Sequence, residues 1–230
     1  MGRTPSHWIV ALAVLSFGLP NAASGQDGTC EQGVAPVDLE MLLEKTIFNV
    51  DVLTLSVSLG GPHADSLRSI DTTEDPTRQM EDSVAVMATR STCANSELEF
   101  LRNVSLDQFI DAIRKSSRAA HEAGFIASDT YDLIDRSLRG WYAFLDDRGV
   151  RDGDRMSYRI RGDTLGILYR AGDGEILLDQ TEIDAARRQS VLAGYFAPGS
   201  DFRDGLMKSF FRHRAESADS PPPSPGGDPR

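Results

Sequence analysis

The 230-residue chain has few of the residues from which metal and redox sites are built. Its four histidines, His7, His63, His121 and His213, are too widely separated to show a metal-ligand spacing. The sequence also lacks G-x-S-x-G, P-loop and dinucleotide-binding glycine patterns. We therefore predict neither a metal nor a cofactor.

An excess of positive charge is also absent. The chain has 24 Lys and Arg residues against 35 Asp and Glu residues, which gives a formal net charge of −11 at pH 7. A chain of this charge gains no affinity from counterion release on a polyanion. We therefore expect neither nucleic acid nor an anionic membrane surface as a partner.

Long apolar runs are absent except near the N-terminus. A basic residue precedes an apolar run from Trp8 to Leu19, and Ala23 and Gly25 stand at plausible cleavage positions. This order is typical of a secretory signal peptide, and the run is shorter than the about 20 residues that span a bilayer. We predict that residues 1–25 are removed on export, which leaves a secreted or periplasmic chain without a membrane span. An uncleaved anchor is the alternative.

Cysteine is scarce, and only Cys30 and Cys93 occur. In an exported protein two cysteines favour a single disulfide, which would join the N-terminal segment to the middle of the chain. Two unpaired thiols are the alternative, because the sequence does not show whether the two Cα atoms come close enough.

The composition divides the remaining chain into three parts. Residues 26–36 form a lead-in segment, and residues 37–213 are long enough for one domain with a sizeable core. Residues 214–230 are rich in Pro, Ser, Gly and Asp, and they have too little apolar surface to offset the entropy lost on ordering. We predict that this last segment is a disordered tail.

The stretch from Thr46 to Leu59 predicts a long strand with an unusual pattern. Apolar residues alternate up to Val52 and then again from Leu53, so the phase changes between these two neighbours. A change of one residue turns every later side chain to the opposite face of a sheet. Either a β-bulge bends the strand at this point, or the strand is buried on both faces.

The clearest helix begins after Ser105, which forms a capping box with Gln108 and is followed by an apolar stripe. Gly124 is a natural residue to end this helix. Other helices are predicted over 78–91, after caps at Ser128 and Thr181, and from Ser200. A loop is predicted from residue 60 to Arg78, and strands are predicted over 96–104 and in three short segments after the turn "RGVRDGDR".

Strands and helices are therefore segregated along the chain, which predicts an α+β fold with helices packed on an antiparallel sheet. Four strings strengthen this prediction: "KTIFNVDVLTLSV", "VSLDQFIDAI", "RDGDRMSYRI…TLGILYRAGDGEILLD" and "SVLAGYFAPGSDFRDGLMKSFF". In this order, from Leu39 to Arg212, they resemble the chalcone isomerase superfamily, as a bacterial-type chalcone-isomerase-like protein. The resemblance implies an open-faced β-sandwich, an antiparallel sheet with helices layered on one side and a ligand cleft between them.

The catalytic residues of that family do not carry over. On the alignment that the strings give, the family's arginine and threonine positions read Pro36 and Phe48, and its tyrosine and asparagine positions read Phe109 and Ser116. A late hydroxyl position reads Arg188. Losing even one donor to a developing oxyanion typically costs about 10²–10³ in rate, so we expect no chalcone isomerisation.

We predict instead a non-catalytic protein that binds a small apolar or amphipathic ligand, such as a fatty acid, in the cleft. The predicted ligand-binding residues are Phe48, Val50, Val52, Phe109, Ile113, Ser116 and Arg188. One alternative is a lyase or isomerase with a rearranged site that uses Arg188, Tyr158 or Tyr169. Another is an envelope interaction protein, and the oligomeric state is left open.

Three further segments have two interpretations. The aromatic clusters "GWYAFL" (140–145) and "YFAPGSDF" (195–202) could line the cleft or belong to the core. The acidic stretch "DDRGVRDGD" lacks the residue order of a calcium loop, and we interpret it as a charged turn.

Overall fold

The computed structural model describes residue 30 and residues 35–45, 50–70 and 75–218. The strands are Val37–Lys45 (β1), Val50–Leu59 (β2), Cys93–Phe100 (β3), Arg155–Arg161 (β4), Thr164–Arg170 (β5) and Ile176–Ile183 (β6). The helices are Pro62–Arg68 (α1), Arg78–Thr89 (α2), Leu106–Glu122 (α3), Ser128–Trp141 (α4), Ala185–Phe196 (α5) and Arg203–Ala218 (α6). A 3₁₀ turn, Ala143–Leu145, follows α4.

The six strands form one antiparallel sheet in the order β1-β2-β3-β4-β5-β6. Side chains alternate between a buried face and an open face, as expected for an antiparallel sheet that is covered on one side. The buried face carries Leu55, Leu98, Met156, Ile160, Leu165 and Tyr169. The fold is therefore the predicted α+β open-faced sandwich, with helices layered on one side of the sheet.

A β-bulge explains the phase change in the second strand. Leu43 of β1 pairs with Leu53, whereas the next residue, Glu44, pairs with Asp51, so Val52 is an extra residue in β2. Of the two interpretations that the sequence left open, the bulge is therefore the correct one. The predicted strand start at Thr46 lies outside the described residues, as do residues 47–49.

Helix α3 begins and ends as predicted. The Ser105 side chain accepts a hydrogen bond from the Gln108 N–H, and the Gln108 side chain accepts one from the Ser105 N–H, both at 3.2 Å. Gly124 follows the helix with φ 74°, a left-handed conformation that glycine adopts without a steric penalty. This well-fixed start determines which α3 side chains face the sheet.

Several predicted element boundaries were wrong. The predicted loop from 60 to 78 contains α1, where Pro62 starts the helix and buries Ala64 and Leu67. Strand β3 begins at Cys93, three residues earlier than predicted.

Two predicted caps do not act as caps. Helix α4 begins after Ala127, which makes no side-chain cap hydrogen bond, so Ser128 is its first residue. Thr181 lies inside β6, and α5 is capped by Asp184, whose carboxylate accepts from the N–H groups of Ala186 and Arg187. At the end of the chain, α6 starts at Arg203.

The predicted disulfide is present. Cys30 and Cys93 are bonded, with their Cα atoms 5.5 Å apart. The predicted signal peptide lies outside the described residues. Helix α6 extends to Ala218 and so includes the first residues of the predicted tail, while residues 219–230 are outside the described part. Within the described ranges, no helix is both long enough and apolar enough to cross a membrane.

Candidate functional site

A cavity of about 580 Å³ lies between the sheet and helices α3, α4 and α5. Its volume falls in the range of pockets that hold small organic ligands. The sheet contributes an apolar floor, formed by Leu53, Leu98, Phe100, Met156, Leu165 and Ile167. The predicted position of the cleft, between sheet and helices, is therefore where the cavity is found.

The bulge in β2 shapes one end of this cavity. Val52 and Leu53 are neighbours in the sequence, yet both side chains line the cavity. In a regular strand two successive side chains would point to opposite faces. The extra residue at Val52 therefore lets the same strand supply two adjacent apolar groups to the cavity wall.

Four predicted ligand-binding residues line the cavity: Val52, Phe109, Ile113 and Ser116. The last three lie on one face of α3, at a spacing of four and then three residues. Phe109 is only 7% exposed and packs edge-on against Phe100 at 5.8 Å between ring centroids. Whether these side chains contact a ligand remains a prediction.

The other three predicted residues are placed differently. Phe48 lies outside the described residues, and Val50 is the first residue of β2. Arg188 is absent from the cavity lining, because its guanidinium donates a 3.0 Å hydrogen bond to the Ser91 carbonyl and lies 3.9 Å from Asp163. Arg188 thus connects α5 to the segment before β3 instead of facing a ligand.

Helix α5 presents a different arginine to the cavity. Its cavity-lining residues are Arg187, Ser190, Val191, Gly194 and Tyr195, which follow helical spacing. Counting back from the apolar Val191 by four residues gives Arg187. Helical spacing therefore points to Arg187, whereas the alignment with the family had pointed to Arg188.

Two tyrosines meet at the polar part of the cavity. The hydroxyl oxygens of Tyr142 and Tyr158 are 3.2 Å apart, and the Tyr158 hydroxyl also lies 3.5 Å from the Met156 sulfur. Burial raises the pKa of Tyr142, and it raises that of Tyr158 well above the ordinary value. Both hydroxyls are therefore protonated at neutral pH. One of them donates in their mutual hydrogen bond, so the other O–H can be donated to a ligand.

Arg187 brings a positive charge to the same region. Its guanidinium stacks over the Trp141 ring at 3.7 Å from the centroid and forms an ion pair with Glu182. Its charge opposes the rise in pKa of both Tyr142 and Tyr158, so its field reaches the two hydroxyls. A guanidinium carries five N–H donors, and Glu182 is its one hydrogen-bond acceptor among the described residues.

Exposed charged and polar residues border the cavity at the end of β1, between β3 and α3, on α3 and in the loop before α6. They are Glu44, Arg102, Gln108, Lys115 and Asp201. The Lys115 ammonium lies 2.5 Å from the Asp201 carboxylate, and both side chains are about half exposed. This pair joins α3 to the α5–α6 loop where the cavity meets solvent.

The two aromatic clusters divide between cavity and core. Trp141, Tyr142, Tyr195 and Phe202 line the cavity, whereas Phe196 is fully buried away from it. Tyr195 makes a 3.5 Å contact with Ser96, and burial raises its pKa. The sequence left both interpretations open, and each holds for some of the residues.

The charged turn before β4 is built around a buried carboxylate. Asp154 accepts hydrogen bonds from the Arg148 guanidinium at 3.0 Å, the Arg151 N–H at 2.9 Å, the Gly172 N–H at 3.0 Å and the Tyr169 hydroxyl at 2.7 Å. Tyr169 therefore serves this turn and does not line the cavity. Across the described ranges, no group of His, Cys, Asp and Glu side chains is arranged to hold a metal ion.

Comparison with known proteins gives matches to solved structures only. No protein-family model matches the chain, and comparison with curated proteins yields no match. Among solved structures, a fatty-acid binding protein of Arabidopsis thaliana is similar at 10% sequence identity and a TM-score of 0.49. The match covers 80% of this chain and 89% of that protein. A likeness at this level carries no information about the ligand or activity of this chain.

Proposed function

We propose that this chain is an exported, non-catalytic, chalcone-isomerase-like protein that binds a small amphipathic ligand with an acidic head group. The apolar part of the ligand, such as an acyl chain, lies over the sheet floor formed by residues such as Leu98 and Ile167. The acidic group lies near Arg187 and the hydroxyls of Tyr142 and Tyr158. The observation that carries the proposal is this combination of an apolar cavity with one clustered set of donors.

The apolar floor supports the choice of an amphipathic ligand. Ligand pockets are typically lined by hydrophobic and aromatic side chains, with a few polar groups that fix orientation. Here the sheet side of the cavity is apolar from β2 to β5, and Phe109, Ile113 and Val191 continue this lining on the helices. A ligand that is polar along its whole length would leave most of its hydrogen-bonding groups unsatisfied against this wall.

The donors support an acidic head group. Arginine can bind a carboxylate through two N–H groups, and hydrogen bonds to charged groups are roughly twice as strong as neutral ones. The stacking on Trp141 fixes the Arg187 guanidinium beside the cavity, and the tyrosine pair adds one neutral O–H donor. A carboxylate at this point would share Arg187 with Glu182.

The same geometry favours binding over catalysis. Of the three residues considered for a rearranged active site, Tyr158 alone lines the cavity, because Arg188 and Tyr169 are engaged elsewhere. Burial raises the pKa of Tyr158 well above its ordinary value, which suits a hydrogen-bond donor and does not suit a base. The Cys30–Cys93 bridge and the signal-like N-terminus support export to an oxidising compartment.

The test is a titration with a medium-chain fatty acid and with its methyl ester, which has the same chain without the charge. We expect the acid to bind more tightly, and we expect Arg187→Gln to weaken binding of the acid at least about tenfold while changing the ester little. Arg159→Gln is the matched control, because Arg159 follows Tyr158 in β4 but is exposed on the open face. Failure of both compounds to bind, or an equal loss for both in Arg187→Gln, would contradict the proposal.

A further inference from the structure

The two edges of the sheet are protected to different degrees. At the β1 edge, the Glu40 N–H donates to the Ser209 hydroxyl of α6 at 2.9 Å. Gly205 of α6 approaches so closely that a Cβ there would lie 2.9 Å from the Met41 Cβ. Helix α6 therefore covers this edge. At the opposite edge, β6 pairs with β5 on its inner side, and no described strand pairs with its outer side.

Strand β6 also carries the two most exposed large apolar side chains of the described residues. Ile183 is 85% exposed and Ile176 is 51% exposed. Ile183 pairs with Thr164 and Ile176 pairs with Arg170, so both lie on the open face of the sheet. The strand contains no lysine or proline, the residues that commonly prevent pairing at an exposed edge.

We propose that two copies of this chain associate through β6, with the two strands antiparallel and the two-fold axis at Gln180. The pairing would extend the sheet continuously across both copies and satisfy the outer N–H and C=O groups of each strand. Because the interface is the same patch on both copies, it closes as a dimer and does not propagate.

The residue pattern of β6 fits this register. With Gln180 opposite itself, Asp179 stands opposite Thr181 of the second copy, and Leu178 stands opposite Glu182. Carboxylates directly opposite each other would destabilise the strand pair, and this register places no two of them opposite each other. Residues that stand opposite each other also belong to the same face, as an antiparallel ladder requires.

The two exposed isoleucines meet in the same register. The ladder between β5 and β6 shifts after Tyr169: Leu178 pairs with Tyr169, Ile176 pairs with Arg170, and Leu177 is an extra residue. Ile183 of the second copy would stand opposite Leu177 and next to Ile176 of the first copy. The two-fold axis repeats this contact at the other end of the strand pair. Contact between these side chains would remove the apolar surface that distinguishes β6, and this self-complementarity favours a second copy over an unrelated strand.

Charge and size predict how strong the dimer is. One strand pair gives an interface at the small end of those seen in specific complexes, so we expect dissociation in the micromolar range. Each chain carries a formal charge of −11, which repels the second copy. Added salt screens this repulsion, so we expect the dimer to become tighter as ionic strength rises.

The experiment is sedimentation velocity on the disulfide-bonded protein, from micromolar to several hundred micromolar, at low and moderate salt. We expect a concentration-dependent dimer that Ile183→Lys weakens at least about tenfold, since each copy loses an apolar contact and gains a solvated charge. Leu133→Lys is the control, because Leu133 is an exposed leucine on α4 and is not part of β6. Thermal unfolding of each variant establishes that it folds.

A cross-link tests the register. In an antiparallel pair, opposite Cα atoms are about 4.5–5.5 Å apart, which suits a disulfide. Gln180→Cys should therefore form a covalent dimer under mild oxidation, whereas Gln79→Cys on α2 should not. A protein that stays monomeric throughout without forming this cross-link would overturn the proposal. A dimer that Ile183→Lys does not affect would also overturn it, because another surface would then be responsible.

Discussion

Two clusters in this molecule combine buried tyrosine with arginine, and they differ in how many protein partners their carboxylate or hydroxyl groups have. At the turn before β4, Asp154 is fully buried and accepts hydrogen bonds from two side chains and two backbone N–H groups. At the cavity, Tyr142 and Tyr158 contact each other, and Arg187 has a single carboxylate partner. The Asp154 carboxylate therefore has its partners within the protein, although the buried Arg148 Nη1 makes an ion pair with it and no aligned hydrogen bond. At the cavity, N–H groups of Arg187 and a tyrosine O–H remain to be donated to another molecule.

This difference separates polar groups that the fold engages from polar groups that remain accessible at the cavity. A buried charge is tolerated only when it is paired and hydrogen-bonded, and Asp154 meets this condition entirely within the fold. Its partners lie on the turn before β4 and near the end of β5, so the cluster fastens two segments together. The tyrosine hydroxyls connect fewer groups, and they lie at an apolar cavity, where we propose that they face a ligand.

The largest expected effect is on the Asp154 cluster. Asp154→Asn removes the charge that compensates Arg148, whose guanidinium nitrogens lie 2.9 and 3.0 Å from the carboxylate oxygens. We expect the free energy of unfolding to fall by about 3 kcal/mol, as when one partner of a buried pair is lost. Chemical denaturation measures this loss. Asp152→Asn is the control, since Asp152 is exposed, and its effect should stay within about 0.5 kcal/mol.

The next expected effect is a loss of folding stability as the pH is lowered. Burial alone would raise the pKa of Asp154, but hydrogen bonds from Arg148, Arg151, Tyr169 and Gly172 hold it below its ordinary value. The pKa is then lower in the folded chain than in the unfolded chain, so the carboxylate stabilises the fold above about pH 4. This contribution disappears as the pH falls through the folded-state pKa.

Denaturation curves from neutral pH down to about pH 2 measure this dependence. The wild-type protein should lose stability on acidification more steeply than Asp154→Asn, which has no carboxylate to protonate at this position. Parallel curves for the two proteins would show that Asp154 does not contribute.

A pair of matched substitutions gives the smallest and most selective effects. Tyr169→Phe removes the hydroxyl that donates to Asp154, so we expect a loss of about 1–3 kcal/mol in stability and unchanged ligand affinity. Tyr158→Phe should cost less than about 1 kcal/mol and weaken a carboxylate ligand roughly tenfold. Thermal melts and fatty-acid titrations on both variants measure the two quantities. If Tyr169→Phe weakened ligand binding and Tyr158→Phe mainly lowered stability, the distinction between the two clusters would be wrong.

The local parts of this fold could be predicted from the sequence. The capping box at Ser105 and Gln108 involves neighbours in the chain, and the phase change at Val52 reflects the bulge directly. The stripe that places Phe109 and Ile113 at the cavity follows from helical spacing once the helix start is known. Each of these features depends on residues a few positions apart.

The rest depends on contacts between distant segments. Arg188 was predicted because the alignment with the family placed a late site position there, and such an alignment does not show which of two neighbouring arginines on α5 faces the cavity. Asp154 was interpreted as part of a charged turn, because its partner Tyr169 lies 15 residues away on another strand. No local pattern distinguishes a solvated carboxylate from one that the fold encloses.

Trp141 offers the most direct test of the central claim, that the cavity is a ligand site. It lines the cavity beneath Arg187, and the one other tryptophan of the chain, Trp8, lies in the predicted signal peptide. A fatty acid with bromine atoms on its chain should quench the Trp141 fluorescence saturably, and the unbrominated acid should compete. Trp141→Phe supplies the background signal. Saturable, competed quenching is the predicted result, and fluorescence that the brominated acid leaves unchanged at all concentrations below its micelle point would contradict the account.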